Sequence, residues 1–187
     1  ICYEKYLKDW SKFNYLVKSK ISKSDHFIEI KQELRGNNIL EKKLNLDLVK
    51  DYIDQIICLF EYANEKKLYA DPHLKNFTLK DNVINYVDIS PPYSDIYNQF
   101  VIDKATNDID KFLIKKNLMF FRWDWLPFHF SADLISIDLD AITWMDDLYQ
   151  ILKKSFSTNI DKDDFKQRVI MVRYYEDKRI EKGLNLL

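Results

Sequence analysis

Tyr69-Ala70-Asp71-Pro72-His73-Leu74-Lys75-Asn76-Phe77, followed twelve residues after Asn76 by Asp88, is the stretch on which the reading of this chain turns. Pro72 disfavours helix for the residue before it, so the chain must turn at Asp71. Phe77-Thr78-Leu79 and Val83-Ile84-Asn85-Tyr86-Val87 are short β-prone runs separated by Lys80-Asp81-Asn82, the pattern of a hairpin. Asp71 then precedes the hairpin and Asp88 leaves its far end. The five-residue step from Asp71 to Asn76 lets one tight loop present both side chains to one cleft, and the hairpin returns Asp88 beside them. Phosphoryl transfer needs groups of this kind. One carboxylate orients or deprotonates the attacking hydroxyl, while a second carboxylate and an amide oxygen hold Mg²⁺ against the phosphates.

Working outward, Leu46, Val49, Ile53, Ile56, Ile57 and Phe60 recur at three- and four-residue steps and predict a long amphipathic helix. Asn45 or Asp47 can cap its start, and it should end over residues 64–67. Phe13, Leu16 and Val17 predict a short helix within residues 11–20, residues 18–24 read as a polar loop, and residues 1–7 read as a strand cut mid-course. Beyond Pro91-Pro92 the apolar sets are helical: Ile96, Phe100 and Val101; Ile109, Phe112 and Leu113; Leu139, Ile142, Leu148 and Leu152; Phe165, Val169 and Val172. Gly183 can terminate the last of these helices.

The chain has 187 residues, 47% of them hydrophobic, enough to bury one sizeable core and too few for a second full domain. Lys plus Arg number 29 against 30 Asp plus Glu, a net charge of -1 that gives no pull toward nucleic acid or anionic membrane. Cys2 and Cys58 lie far apart without Cys/His spacing, which argues against a disulfide framework and fits a reducing, cytoplasmic setting. No apolar run approaches the roughly 20 residues that span a bilayer. Gly36 and Gly183 are the only glycines, so this stretch contains no glycine-rich nucleotide loop.

The 69–77 run with Asp88 resembles the catalytic loop of the aminoglycoside phosphotransferase and choline kinase family, within the wider protein-kinase-like fold. By that resemblance Asp71 matches the catalytic aspartate, His73 the histidine two places on that small-molecule kinases often carry, Asn76 the metal-binding asparagine, and Asp88 the metal-binding aspartate. Residues 1–7 are similar to the strand and hinge between the two lobes of such kinases. The resemblance covers about the first half of the chain, and the helical second half is compatible with it without carrying a motif. It implies an α+β, mainly α fold, with residues 1–187 forming one kinase-like carboxy-terminal lobe that has a small β-hairpin at the catalytic loop. It further implies ATP and Mg²⁺ as cofactors and a small-molecule hydroxyl as phosphate acceptor. The amino-terminal lobe would be supplied by the same polypeptide or by a partner chain, and the given stretch is expected to be a fragment or a divided chain. Departures are Tyr69 and Ala70, where the family usually has His and Gly, and Leu74, where it often has Pro; Asp88-Ile89-Ser90 lacks the glycine of protein kinases, which small-molecule kinases commonly lack too.

Plainer readings stand beside each residue. His73 is either a loop histidine bonded to backbone or a phosphate contact, and Lys75 is a solvated lysine unless it reaches phosphate. Asp124 and His129, within the aromatic run of residues 120–130, are core packing or part of an aromatic substrate cage. Pro91-Pro92-Tyr93 is a rigid turn that could line the cleft. A non-catalytic kinase-like binding module is the main functional alternative, although a scaffold needs none of the three residues Asp71, Asn76 and Asp88. A metal-dependent phosphohydrolase built on Asp71, His73 and Asp88 would need further His or Asp ligands, and His26, His73 and His129 are the only histidines.

Overall fold

A computed structural model describes residues 2–24, 28–33, 36–39, 46–88, 93–137, 139–156 and 158–186. The fold is α+β and mainly helical. Its elements run α1 (Cys2–Trp10), β1 (Ser19–Lys23), β2 (Ile28–Gln32), β3 (Asn37–Asn38), α2 (Leu46–Lys66), β4 (Phe77–Lys80) and β5 (Val83–Tyr86). They continue with α3 (Asp95–Asp103), α4 (Asp108–Met119), α5 (Leu126–Ile137), α6 (Met145–Leu152) and α7 (Lys162–Glu181).

The hairpin forms as its turn chemistry demands. Asp81 and Asn82 both adopt positive φ, 53° and 61°, which makes a two-residue turn whose twist matches the flanking strands. Phe77 pairs with Tyr86 and Lys80 with Val83, so Lys80 belongs to the strand rather than to the connection. β3 adds a third strand through Asn37 and Asn38, in the order β3-β4-β5, while β1 and β2 form a separate antiparallel pair.

α2 buries Ile53, Ile56, Ile57, Phe60 and Ala63, with Phe60 meeting Phe130 of α5 edge-on at 5.6 Å. It stops at Lys67 in the left-handed conformation, φ 56°, where the Leu68 N–H closes back onto the Ala63 carbonyl at 2.9 Å. α7 ends in the same way at Gly183, φ 63°, with the Leu184 N–H on the Arg179 carbonyl at 3.1 Å. The N-caps of α3, α4 and α7 are the side chains of Ser94, Asn107 and Asp161, each accepting from the backbone three residues on.

Three expectations fail near the amino terminus. Residues 2–10 are helical rather than extended, because Tyr6, Leu7 and Trp10 lie on one face and bury Tyr6 and Trp10, which outweighs the β propensity of their side chains. No helix forms over residues 11–20. There the backbone is taken by β5: the Tyr86 N–H donates to the Tyr15 carbonyl at 2.8 Å, and the Val17 N–H to the Tyr86 carbonyl at 3.0 Å. The polar segment over residues 18–24 then continues as strand β1 instead of a loop. The Leu139 to Leu152 set also divides, into a single 3₁₀ turn (Leu139–Ile142) that exposes Ile142 and the helix α6. Pro91-Pro92 lies outside the described residues.

The main core joins α1, α2, the hairpin, α5, α6 and α7, with Trp10, Phe60, Phe77, Tyr86, Phe128 and Phe165 fully buried. A smaller cluster of Tyr93, Val101, Ile114, Leu118, Phe121 and Leu186 sits beside it, with Tyr93 stacked on Phe121 at 4.2 Å. Among the described residues no helix is long and apolar enough to cross a membrane.

Gly36 enters β3 at φ 76°, and a Cβ there would stand 2.1 Å from the Leu79 carbonyl oxygen of β4. Gly36→Ala is expected to cost roughly 2–3 kcal/mol and to lower Tm by roughly 4–12 °C, read by thermal denaturation; an unchanged Tm would show that β3 does not pack on β4 in this register.

Candidate active site

The 71–76 loop is held from both sides. Before it, the Ala70 N–H donates to the Phe121 carbonyl at 2.9 Å, and Ala70 is fully buried. The Asp71 N–H donates to the phenol oxygen of Tyr86 on β5 at 2.9 Å. The loop then closes as one 3₁₀ turn, with the Asn76 N–H on the His73 carbonyl at 2.9 Å and the Leu74 N–H on Asp133 Oδ2 of α5 at 2.7 Å.

Two hydrogen bonds relate the backbone positions of the three residues singled out for metal and acceptor chemistry. Asn76 Nδ2 donates to the Asp71 carbonyl at 3.1 Å, and the Val87 N–H donates to the Asn76 carbonyl at 2.9 Å. Asp88, the next residue, is thereby carried to the same end of the hairpin as Asn76. The surrounding phenols register both carboxylates. Tyr6, Tyr86 and Tyr93 are pushed upward first by burial, and in each the charges of Asp71 and Asp88 add to the shift. Because Nδ2 of Asn76 is committed to the backbone, Oδ1 is the atom that remains for a cation.

His73 turns inward. Its backbone N–H reaches Asp71 Oδ1 at 3.1 Å and its Nδ1 donates to the same oxygen. Nε2 faces Glu176 Oε1 of α7 at 3.4 Å and Asp133 Oδ1 at 4.0 Å. His129, at the start of α5 and fully buried, donates through Nε2 to the same Glu176 oxygen at 2.8 Å, and its Nδ1 lies 3.3 Å from the Phe120 carbonyl. The ring of His73 thus bonds the Asp71 carboxylate rather than backbone, the geometry of a residue positioning Asp71.

The charges are mutually dependent. Burial opposes ionisation of Asp71, but the positive charge and hydrogen bonds of His73, with His129 behind them, outweigh it and bring the carboxyl down to about 2. Burial likewise opposes a charged His73, and Asp71, Glu176 and Asp133 overcome it, raising the imidazole to about 10. Burial raises Asp133, with the loop's charges only partly offsetting it, whereas His129 and His73 hold Glu176 well below the usual carboxylate range despite its burial.

Other sequence candidates lie apart from this centre. Lys75 is exposed on the loop. Asp124 forms a two-pronged pair with Arg122, at 2.5 and 2.6 Å. The 120–130 run buries Phe120, Phe121, Phe128 and Phe130 in the cores, so it packs rather than forming a cage. Asp133 and Glu176 escaped the sequence reading. A signal for Glu176 existed, since it continues the apolar stripe Phe165, Val169, Val172 of α7 as a buried carboxylate. Two clefts open beside Tyr69, neither of them lined by Asp71, His73, Asn76 or Asp88. One of about 390 Å³ is lined by Lys5, Tyr6, Tyr69, Tyr93 and Asp95 among others; one of about 550 Å³ lies between α3 and α4 and shares Tyr69 and Asp95 with it. The Tyr69 hydroxyl donates to Asp95 Oδ1 at 2.6 Å between them.

Comparison of the chain with protein families, with curated proteins and with solved structures found no match. The functional reading therefore rests on this geometry and on the loop's resemblance.

The pH dependence of stability carries the signature of the Asp71–His73 pair. The raised pKa of His73 contributes stability that is complete below its ordinary 6.5 and lost as pH climbs through about 10. The lowered pKa of Asp71 contributes stability that is present above its ordinary 3.8 and lost as pH falls through about 2. His73→Asn should therefore cost most, about 3–5 kcal/mol, between roughly pH 4 and 6.5, with the deficit shrinking toward pH 10 in urea denaturation; a pH-independent deficit would contradict the pairing.

Proposed function

We propose that this chain is the catalytic lobe of an ATP- and Mg²⁺-dependent phosphotransferase of protein-kinase-like fold, transferring a phosphoryl group to a hydroxyl of a small molecule. The observation that carries the reading is the pair of hydrogen bonds at Asn76, which join the Asp71 backbone to the residue preceding Asp88. These bonds support a reading in which one loop and one hairpin end bring two carboxylates and one amide oxygen to a single cation.

The donor set fits Mg²⁺. Asn76 Oδ1 and the Asp88 carboxylate are hard oxygen ligands, and Mg²⁺ is characteristically held by one or two carboxylates together with substrate phosphates. When bound, the ion would neutralise charge on the phosphoryl group being transferred. The chain's own residues do the positioning. Both contacts from His73 go to Oδ1 of Asp71, so Oδ2 is the oxygen for the acceptor hydroxyl. A carboxyl held near 2 is a weak base, so Asp71 acts mainly by orienting that hydroxyl in line with the phosphate and receives its proton late. The 390 Å³ cleft shares Tyr6 and Tyr93 with the two carboxylates and is the acceptor's place in this reading. The nucleotide phosphates need a covering lobe, assigned to the same polypeptide or to a partner chain.

With that lobe present, Asp71→Asn is expected to lower kcat by about 10²–10⁴-fold while leaving KM for ATP within about two-fold, the pattern of an interaction made in the transition state. Asp88→Asn is expected to abolish Mg²⁺-dependent nucleotide binding in a thermal-shift titration. Full turnover by Asp71→Asn would end the reading.

A further inference from the structure

The contact of the 71–76 loop with α5 and α7 has the make-up of a second cation site, independent of the phosphotransferase reading. One ring nitrogen of His73, one of His129 and a carboxylate oxygen of Glu176 lie within 4.8 Å of one another. Glu176 Oε1 is 2.8 Å from His129 Nε2 and 3.4 Å from His73 Nε2, and the two rings stand nearly perpendicular, 4.5 Å apart. Four ligands at zinc-type bond lengths sit about 3.3–3.4 Å from each other, so the His73–Glu176 separation already matches and the His129–Glu176 separation needs a small opening.

The outer nitrogens are set as they are in metal-bound histidines. His73 Nδ1 is held by the Asp71 carboxylate and His129 Nδ1 by the Phe120 carbonyl, two acceptors that keep a proton on each Nδ1 and leave each Nε2 as the coordinating nitrogen. With no ion, two N–H groups must share one Glu176 oxygen. A divalent ion in place of those two N–H donors satisfies the same three atoms. Asp133 lies outside this three-residue cluster but beside it, near enough to close in as a fourth group. Its Oδ2 accepts from the Leu74 N–H, and its Oδ1 faces His73 Nε2 at 4.0 Å.

We propose that His73, His129 and Glu176, with Asp133 as fourth group, bind a divalent transition metal of the zinc type that fastens the 71–76 loop to α5 and α7. Imidazole ligands select zinc-type ions over Mg²⁺, which separates this site chemically from the oxygen pair Asn76 and Asp88. His129 and Glu176 are buried, and His73, 19% exposed at its side chain, is the side from which an ion enters. Four protein groups with no open position make the role structural.

The test is a titration of tag-free, chelator-treated chain with Zn²⁺ by calorimetry, and with Co²⁺ by visible absorption. One Zn²⁺ per chain is expected, with the ligand-field bands of four-coordinate cobalt. Glu176→Gln and His129→Asn should each weaken Zn²⁺ binding by at least about 100-fold, and Asp71→Asn by about 10–100-fold through the orientation of His73. Mg²⁺ should not compete, and Asp88→Asn should keep the Zn²⁺ affinity of the parent. Circular dichroism reports folding of each variant; where one fails to fold, the cobalt spectrum of the parent chain decides. Absence of stoichiometric binding, a six-coordinate cobalt spectrum, or equal affinity in folded Glu176→Gln would show a hydrogen-bonded network without an ion.

Discussion

Three carboxylates, Asp71, Asp133 and Glu176, meet two imidazoles where water is nearly excluded, and the position of the 71–76 loop follows from keeping Asp71 and Glu176 against the imidazoles while burial pushes Asp133 upward. An unpaired charge at such a depth costs several kcal/mol, far more than a hydrogen bond returns, so none of the five groups can move alone. Asp71 lies on the loop, Asp133 and His129 on α5, and Glu176 on α7. The loop is thereby tied to the two helices that make the most extensive helix pairing of the fold, rather than only to its neighbours in sequence.

The second constraint is β5. Tyr86 serves three segments at once: its N–H and carbonyl bind Tyr15 and Val17, its ring is wholly buried beside Trp10 and Phe77, and its hydroxyl accepts from the Asp71 N–H. One residue after it, Val87 binds Asn76. The hairpin thus fixes where the chain emerges at Asp88 relative to the 71–76 loop. The amino-terminal segment holds the hairpin from the other side, and α1 closes over it through Tyr6 and Trp10. These contacts are backbone hydrogen bonds, the bond from the Asp71 N–H to the Tyr86 hydroxyl, and apolar packing.

What could be read from the sequence divides along the range of the forces involved. α2, the hairpin and the end of α7 are local matters of apolar period, Asp-Asn turn chemistry and a glycine stop, and each formed where its residues said. The coarse class, mainly helical α+β, followed from the same signals. Residues 2–24 were misread because long-range pairing with Tyr86 and burial of Tyr6 and Trp10 overrode local tendencies. In the site, Asp71, His73, Asn76 and Asp88 were visible as a spaced motif. Their partners were not, since the His129–Glu176 contact joins residues 47 apart and the Leu74–Asp133 contact residues 59 apart. Only the buried carboxylate on the apolar stripe of α7 hinted at them.

The central claim is that Asn76 and Asp88 hold one divalent ion beside Asp71. Anomalous diffraction from crystals of the protein with its nucleotide-covering lobe, grown with Mn²⁺ and a non-hydrolysable ATP analogue, tests it most directly. The account requires an anomalous peak at coordination distance, about 2.1 Å, from Asn76 Oδ1 and an Asp88 carboxylate oxygen. A saturated crystal with no peak between those two side chains, or with the nucleotide and its ion bound elsewhere, would contradict it.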